Sequence, residues 1–166
     1  LGTLEQEAKV QMGESVLIVG CGGVGLNLIL AAKLAQAWPI EVVDINYSKI
    51  DTAKQMGATA FYTWKDFDAL KYDVIVDTTG SVEAIESTLP LLSEKGRMVL
   101  IGQTKKDESF RVLAAVNHFH GEGHRIIWSQ GGGFKPSQMI PRYLNLWRSG
   151  ALDLSGIVSH RLPLSE

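Results

Sequence analysis

Four consecutive apolar residues, Val16–Val19, lead directly into a glycine-rich motif, GCGGVG, at positions 20–25. A continuous apolar run of this length is typical of a strand that is buried on both faces of a sheet. Helix-forming residues then continue to Ala37, so the glycines lie between a strand and a helix. A chain with this pattern is expected to make a tight glycine turn where a buried parallel strand ends.

The same alternation of strand and helix patterns continues along the chain. Apolar runs predict strands at residues 16–19, 40–44, 58–62, 72–77, 97–101 and 125–128. Helices are predicted at residues 4–12, 26–37, 47–56, 81–92, 109–117 and 137–148. This alternation favours a parallel sheet with helices on both faces. Because crossovers are right-handed, we expect a single-domain, doubly wound (Rossmann) α/β fold of about six strands in the order 3-2-1-4-5-6.

The composition excludes several classes of protein. The chain has 166 residues, of which 45% are hydrophobic and 20% charged, as in an ordinary folded domain. Sixteen Lys and Arg against 18 Asp and Glu argue against a nucleic-acid or membrane-surface protein. No apolar run approaches the ~20 residues of a membrane-spanning helix. The single cysteine, Cys21, excludes an internal disulfide framework, and with no signal-peptide pattern it predicts a cytoplasmic location.

Each glycine of the motif has a separate task if the turn binds the diphosphate of a dinucleotide. Gly20 permits the tight turn, Gly22 lets the diphosphate approach the backbone, and Gly25 lets the helix pack closely on the strand. The helix N-terminus then offers free N–H groups and a partial positive charge of about half a unit. The alternative is a turn in which the glycines only assist packing. Cys21 is expected to be a small buried residue in this turn.

Asp44 ends the second predicted strand, 19 residues after Gly25, where a carboxylate can accept hydrogen bonds from the hydroxyls of an adenosine ribose. The same carboxylate repels a 2′-phosphate, because two unit charges ~4 Å apart interact by about 4 kcal/mol at an effective dielectric of ~20. No arginine follows Asp44 closely enough to bind such a phosphate. The sequence therefore predicts NAD rather than NADP as the cofactor.

Five stretches of the sequence together resemble the coenzyme-binding domain of the medium-chain dehydrogenase/reductase family, the zinc-dependent alcohol and polyol dehydrogenases. These stretches are GESVLIVGCGGVGLN (13–27), VVDINYSKIDTAKQMGAT (42–59), DVIVDTTGS (73–81), KGRMVLIG (95–102) and IVSHRLPLSE (157–166). The resemblance extends over nearly the whole chain. It implies that Lys49 supports Asp44 at the ribose and that Ile45 lies against the adenine.

The motif and the resemblance together give a set of expected cofactor-binding residues. The resemblance implies that residues after the fourth strand line the adenosine side and that residues after the fifth strand hold the nicotinamide. The full set is Gly20, Gly22, Gly23, Val24, Gly25, Asp44, Ile45, Lys49, Thr78, Thr79, Gly80, Gly102 and Gln103. Neither a catalytic residue nor a metal ligand is expected in this sequence.

The resemblance also implies that the sequence is a piece of a longer protein. Family members have a preceding domain that supplies the catalytic zinc ligands, and this sequence lacks it. Residues 1–150 are thus expected to be the NAD-binding domain, and residues 151–166 a tail that leads toward the absent catalytic domain. The implied activity of the parent is hydride transfer between an alcohol or carbonyl substrate and the nicotinamide. The chain alone is expected to bind NAD(H) without being active, and a homodimer is a further expectation.

Two other classes of protein share the strand, the glycines and the acidic residue. The main alternative is a non-enzymatic NAD-sensing regulatory domain, and the other is a methyltransferase, whose loop more often reads GxGxG.

A separate feature is the segment 117–124, which contains His118, His120, Glu122 and His124. This segment could bind a metal ion or form a polar surface loop. The geometry argues against the metal site, because neither a regular helix nor a strand brings all three histidines to one face.

Overall fold

Six parallel strands form one sheet in the computed structural model, which describes residues 1–68, 70–158, 160 and 162–164. Their order is β3-β2-β1-β4-β5-β6, which confirms the predicted doubly wound fold. The chain order changes direction between β1 and β4, so the carboxyl ends of these two strands flank the switch point of the sheet. The strands are β1 (Val16–Val19), β2 (Ile40–Val43), β3 (Ala60–Tyr62), β4 (Tyr72–Asp77), β5 (Leu92–Leu100) and β6 (Arg125–Trp128).

The described part of the chain forms four α-helices and several short helical turns. The α-helices are α1 (Gly23–Leu34), α2 (Ile50–Met56), α3 (Val82–Thr88) and α4 (Pro136–Arg148). The shorter turns are of the π type at Thr3–Glu7 and Asn117–Gly121, and of the 3-10 type at Tyr47–Lys49, Leu89–Leu91, Gly131–Gly133 and Ser155–Ile157. None of the described helices is long and apolar enough to cross a membrane.

Strand β1 is buried on both faces, as its continuous apolar sequence predicts. In β1, Val16 and Ile18 belong to the core beneath α1, whereas Leu17 and Val19 belong to the core beneath α3. All four side chains are at most 1% exposed. Alternate residues of one strand thus supply both layers of the core, which is why the strand carries no polar position.

Two predicted helices differ most from the structure. The prediction for residues 109–117 is wrong, because this segment forms no helix before residue 115. Its backbone is held by a contact distant in sequence, in which the Arg111 N–H donates to the Glu86 carboxylate at 2.6 Å, and Ala114 adopts a positive φ of 53°. The first helix ends at Glu7 rather than near residue 12, because Lys9 also has a positive φ, 52°.

The first residues of the predicted tail, which begins at residue 151, pack into the hydrophobic core of the domain. Leu152 is 3% exposed and belongs to the core beneath α1, and Ile157 packs against that core. Residues 159, 161, 165 and 166 of the predicted tail lie outside the described residues. The division of the chain at residue 150 stays a prediction.

A buried ion pair joins the N-terminal segment to β5. The Arg97 guanidinium donates to both carboxylate oxygens of Glu14, at 2.9 and 2.6 Å, and to the main-chain oxygens of Ala8 and Lys9. Partial burial opposes ionisation of Glu14, but the hydrogen bonds from Arg97 and Gln11 hold its pKa below the ordinary value. The bonds to Ala8 and Lys9 fix the place where the first helical turn ends.

Replacing Arg97 with methionine should lower the free energy of unfolding by about 3 kcal/mol or more, because Glu14 loses its partner while it remains partly buried. The matched control is Lys105→Met, since the Lys105 side chain is 86% exposed and its ion pair with Glu108 is on the surface. We expect the control to change stability by no more than about 0.5 kcal/mol. Urea unfolding followed by tryptophan fluorescence measures both values, and equal losses in the two variants would contradict the expectation.

Candidate cofactor-binding site

The glycine turn lies at the carboxyl end of β1, where the sequence predicts it. Gly20 has a φ of +91°, a left-handed conformation that favours glycine. At position 25 the constraint is contact rather than conformation, because an added Cβ would lie 2.1 Å from the Gly20 carbonyl oxygen. Helix α1 can begin this close to β1 only because position 25 has no side chain.

Gly22 and Gly23 lie in open space at the start of α1. An added Cβ at either position would meet no atom within 4 Å. Gly22 is the residue before the helix and provides no side-chain oxygen to the first N–H groups, which have no intrahelical acceptors either. Val24, on the first turn, is 50% exposed. This end of α1 can therefore approach a phosphate without a steric obstacle.

The Asp44 carboxylate contacts the glycine turn directly. One of its oxygens accepts a hydrogen bond from the Cys21 N–H at 2.5 Å, and the other accepts from the Asn46 N–H at 2.7 Å. Each oxygen keeps acceptor capacity, because a carboxylate oxygen has two lone pairs. The side chain that was predicted to bind a ribose is thus held in a fixed position beside the predicted phosphate turn.

Cys21 is fully buried inside this turn, as expected. Burial and the nearby Asp44 charge raise the pKa of its thiol to about 11, and the positive charge of Lys49 opposes this shift. The thiol is therefore protonated at neutral pH and has little nucleophilic character. Cys21 is a packing residue of the turn.

Asp77, at the end of β4, organises the loop that follows. Its side chain is fully buried and accepts hydrogen bonds from the Thr79 hydroxyl at 2.6 Å and from the Gly80 N–H at 2.9 Å. The neighbouring Thr78 hydroxyl donates to the carbonyl oxygens of Val19 and Gly20, at 2.9 and 3.2 Å. The ends of β1 and β4 are thus bonded side by side. Asp77 has no role among the sequence predictions, although a carboxylate before two threonines and a glycine is a signal for such a turn.

The loops after β4 and β5 contact each other through glycines. Gly80 has a φ of +68°, and a Cβ there would lie 2.4 Å from the Gln103 carbonyl oxygen. A Cβ at Gly102 would lie 2.0 Å from the Gly80 nitrogen. These glycines therefore allow two loop backbones to touch, and their predicted contact with a cofactor stays a prediction.

A groove of about 490 Å³ runs from the glycine turn along the carboxyl edge of the sheet. Four residues of the predicted set line it, namely Gly20, Asp44, Ile45 and Thr79. The other lining residues were not predicted, and they are Val19, Val43, Trp64, Ser81, Glu83, Ala84 and Ser87. They come from segments far apart in the sequence and carry no motif of their own.

The remaining predicted residues lie outside this groove. Gly102 and Gln103 line a second cavity of about 350 Å³, together with Trp128 and Ser129. Lys49 lines neither cavity, and no ion pair joins it to a carboxylate among the described residues. Most of the predicted residues thus fall into three groups. One group lines the groove beside Asp44, a second lies at the start of α1, and a third lines the second cavity, beyond the Gly80–Gly102 contact.

The histidines of segment 117–124 form a pair away from both cavities. The Nδ1 atoms of His118 and His124 are 2.8 Å apart, and His120 is exposed. Among the described residues, no group of three or more His, Cys, Asp or Glu side chains could hold a metal ion. His124 is 5% exposed, so the expectation of a polar surface loop is wrong for this residue. Its Nε2 atom is buried without a hydrogen-bond partner.

The sequence matches the family model described as zinc-binding dehydrogenase over residues 23–147. The chain belongs to this family. It is 31% identical to S-(hydroxymethyl)glutathione dehydrogenase of Synechocystis sp., in an alignment that covers 100% of the chain and 47% of that relative. It is also similar to alcohol dehydrogenase 2 of Zea mays, with 32% identity over 100% of the chain and 46% of the relative. The chain thus spans about half the length of these curated relatives.

Solved structures of dehydrogenases share the fold. Benzyl alcohol dehydrogenase from Acinetobacter calcoaceticus superposes with a TM-score of 0.84 and 27% identity, over 90% of this chain and 43% of that one. Two structures at lower identity share the fold alone. An alcohol dehydrogenase from E. coli complexed with NADH has a TM-score of 0.79 at 18% identity, and a zinc-binding dehydrogenase from Sinorhizobium meliloti bound to NADP has 0.78 at 22%.

The two kinds of glycine in the turn should respond differently to alanine. Gly25→Ala places a methyl group against the Gly20 carbonyl, so we expect a loss of about 2 kcal/mol or more in the free energy of unfolding. Gly23→Ala adds the same atom in open space and should stay within about 0.5 kcal/mol of the parent chain. Urea unfolding checks both variants. A stable Gly25→Ala variant would contradict the close contact between α1 and the turn.

Stability should fall as the pH falls below 6.5, the ordinary pKa of histidine. Burial and the neighbouring His118 lower the pKa of His124, Lys71 acts in the same direction, and the Ser93 main chain and Glu122 oppose the shift. The unfolded chain therefore binds a proton at this residue before the folded chain does, which favours unfolding. His124→Gln should reduce this pH dependence, and His120→Gln should leave it unchanged. Thermal unfolding midpoints between pH 5 and 8 provide the measurement.

Proposed function

We propose that this chain is the NAD(H)-binding domain of a zinc-type medium-chain alcohol or polyol dehydrogenase. The observation that carries the proposal is the Asp44 carboxylate, which is hydrogen-bonded to the glycine turn and lines a groove at the switch point of the sheet. Ligands of doubly wound folds bind at this place. Family membership supports the reaction class, because the Synechocystis and maize relatives are named as dehydrogenases.

The residues fit a dinucleotide in a definite arrangement. The start of α1 at Gly22, Gly23 and Val24 would hold the diphosphate through main-chain N–H groups in the open space described above. Asp44 would accept hydrogen bonds from the adenosine ribose, with Lys49 as a nearby positive charge. Ile45, Thr78, Thr79 and Gly80 would complete the adenosine side, and Gly102 and Gln103 would hold the nicotinamide.

When bound, NAD supplies a nicotinamide ring that accepts or returns a hydride. This chain would bind and orient the cofactor, and the substrate would be held on zinc by the domain that is not in this sequence. The chain alone would thus bind NAD(H) without oxidising an alcohol. Zinc is proposed only for the absent domain.

Three expectations about context accompany this proposal. Residues 1–150 would be the cofactor-binding domain, and residues 151–166 would lead toward the catalytic domain. The sheet ends at β6, so a second copy of the chain could pair along this edge as a homodimer. The single cysteine favours the cytoplasm as the location.

The preference for NAD gives the direct test of the site. Asp44 should repel the 2′-phosphate of NADPH, and half of the ~4 kcal/mol interaction already corresponds to an about thirtyfold preference for NADH. Asp44→Asn should reduce this ratio to within a few fold of unity. Asp51→Asn is the matched control, because Asp51 is exposed on α2 and outside the groove. Isothermal titration calorimetry with both dinucleotides measures the ratio for each chain.

Calorimetry also separates the proposal from its rivals. No heat at saturating NADH would contradict a dinucleotide site, and binding of S-adenosylmethionine instead would favour a methyltransferase. Binding of NADH by a full-length protein that oxidises no alcohol would favour the NAD-sensing regulatory domain.

A further inference from the structure

One part of the groove has no task in the binding arrangement proposed above. The groove is also lined by Trp64, from the loop after β3, and by Glu83, from the first turn of α3. Neither residue is part of the glycine motif or of the predicted set. Both share the groove with Asp44 and Ile45, which are the residues proposed for the ribose and the adenine, so an adenosine bound there would place its base within their reach.

Trp64 is a preformed stacking surface. Its ring meets Phe67 edge-on, with centroids 6.0 Å apart and an angle of 88° between the planes, and Phe67 in turn packs on Tyr62 at 5.6 Å. Trp64 is 37% exposed, so part of its surface remains open to a ligand although Phe67 packs against the ring. A fixed indole at the wall of a groove can stack on a purine, and such stacking contributes measurably to binding in other sites.

Ile45 adds apolar surface to the same groove. Its side chain is 86% exposed although it lies directly after the anchored Asp44. Covering this exposed side chain with a flat apolar ligand removes apolar surface from water, which favours binding of the ligand. Trp64 and Ile45 therefore make their part of the groove suitable for an aromatic ring, whereas the turn beside Asp44 is suitable for polar groups.

Glu83 is exposed at the groove and contributes a hydrogen-bond acceptor that no described residue uses. Among the described residues, its carboxylate has neither a hydrogen bond nor an ion pair, in contrast to Asp44, which accepts two N–H groups. The nearby hydroxyls are engaged with the backbone, since Ser87 donates to the Glu83 carbonyl at 2.6 Å and Ser81 accepts from the Ala84 N–H at 3.3 Å. An ionised carboxylate accepts hydrogen bonds and cannot donate one.

We propose that Trp64 and Glu83 select the purine of the cofactor: the Trp64 indole stacks on adenine, and the Glu83 carboxylate accepts a hydrogen bond from the exocyclic amino group of that base. Hypoxanthine carries a carbonyl oxygen in place of this amino group. The carboxylate would then face another acceptor, which is repulsive. A site built around one hydrogen bond rejects an analogue that lacks the partner group more strongly than it rejects a small change in shape. This inference rests on the proposed NAD(H)-binding function.

The test compares NADH with its deaminated analogue, reduced nicotinamide hypoxanthine dinucleotide, by calorimetry on this chain. The unaltered chain should bind NADH about tenfold or more tightly than the analogue, as a charge-assisted hydrogen bond predicts. Glu83→Gln should bring this ratio close to unity, because a glutamine amide can accept from an amino group or donate to a carbonyl. The matched control is Glu94→Gln, since the Glu94 side chain is 71% exposed and lies outside the groove.

Trp64→Leu should separate stacking from hydrogen bonding. Loss of the indole should weaken both dinucleotides by a similar factor, about fivefold or more, and leave their ratio unchanged. Trp147→Leu is the control, because Trp147 is 55% exposed on α4 and outside the groove. Circular dichroism verifies that each variant remains folded.

The outcomes distinguish this inference from the proposed function. If the unaltered chain binds NADH but Glu83→Gln leaves the ratio of the two affinities unchanged, Glu83 does not select the base and the inference is overturned. If the unaltered chain binds both dinucleotides equally, the same conclusion follows. If it binds neither, the proposed function fails and the inference fails with it.

Discussion

The contact between the start of α1 and the Gly20 carbonyl is the constraint on which the carboxyl edge of the sheet depends. Because position 25 carries no side chain, the helix begins directly against the strand end, and its first N–H groups face open space. The Asp44 carboxylate can then reach the Cys21 N–H and join β2 to the same turn. A larger residue at position 25 would move the helix, and the phosphate-sized space and the acidic side chain would separate.

The fold was predictable wherever the sequence carries its own local information. β1 has the predicted bounds, Val16–Val19, because an uninterrupted apolar run between polar or glycine residues is typical of a buried strand. Residues 109–117 carry a helical pattern, yet a hydrogen bond from Arg111 to Glu86, on a different element, decides their backbone. The first helix likewise stops where Arg97 binds the carbonyls of Ala8 and Lys9, a contact that no local pattern encodes.

The site shows the same division between local and distant information. The glycine turn and Asp44 follow from a motif whose spacing has a mechanical reason. Trp64 and Glu83 could not be assigned, because they enter the groove from the β3 loop and from α3 only after the sheet has formed. Asp77 has no predicted role, and its bonds to Thr79 and Gly80 show that it shapes the neighbouring loop.

Asp77 also links the two cavities mechanically. Its side chain holds Thr79 at the groove, and its main-chain oxygen accepts from the N–H groups of Ile101 and Gly102 beside the second cavity, at 2.9 and 3.1 Å. A single residue thus bonds to the loops at both cavities, to Thr79 through its side chain and to Ile101 and Gly102 through its main chain. If one ligand occupies both cavities, this shared anchor means that the two loops need little further ordering, so less conformational entropy of the protein is lost on binding. A shorter ligand would reach only one of the two cavities.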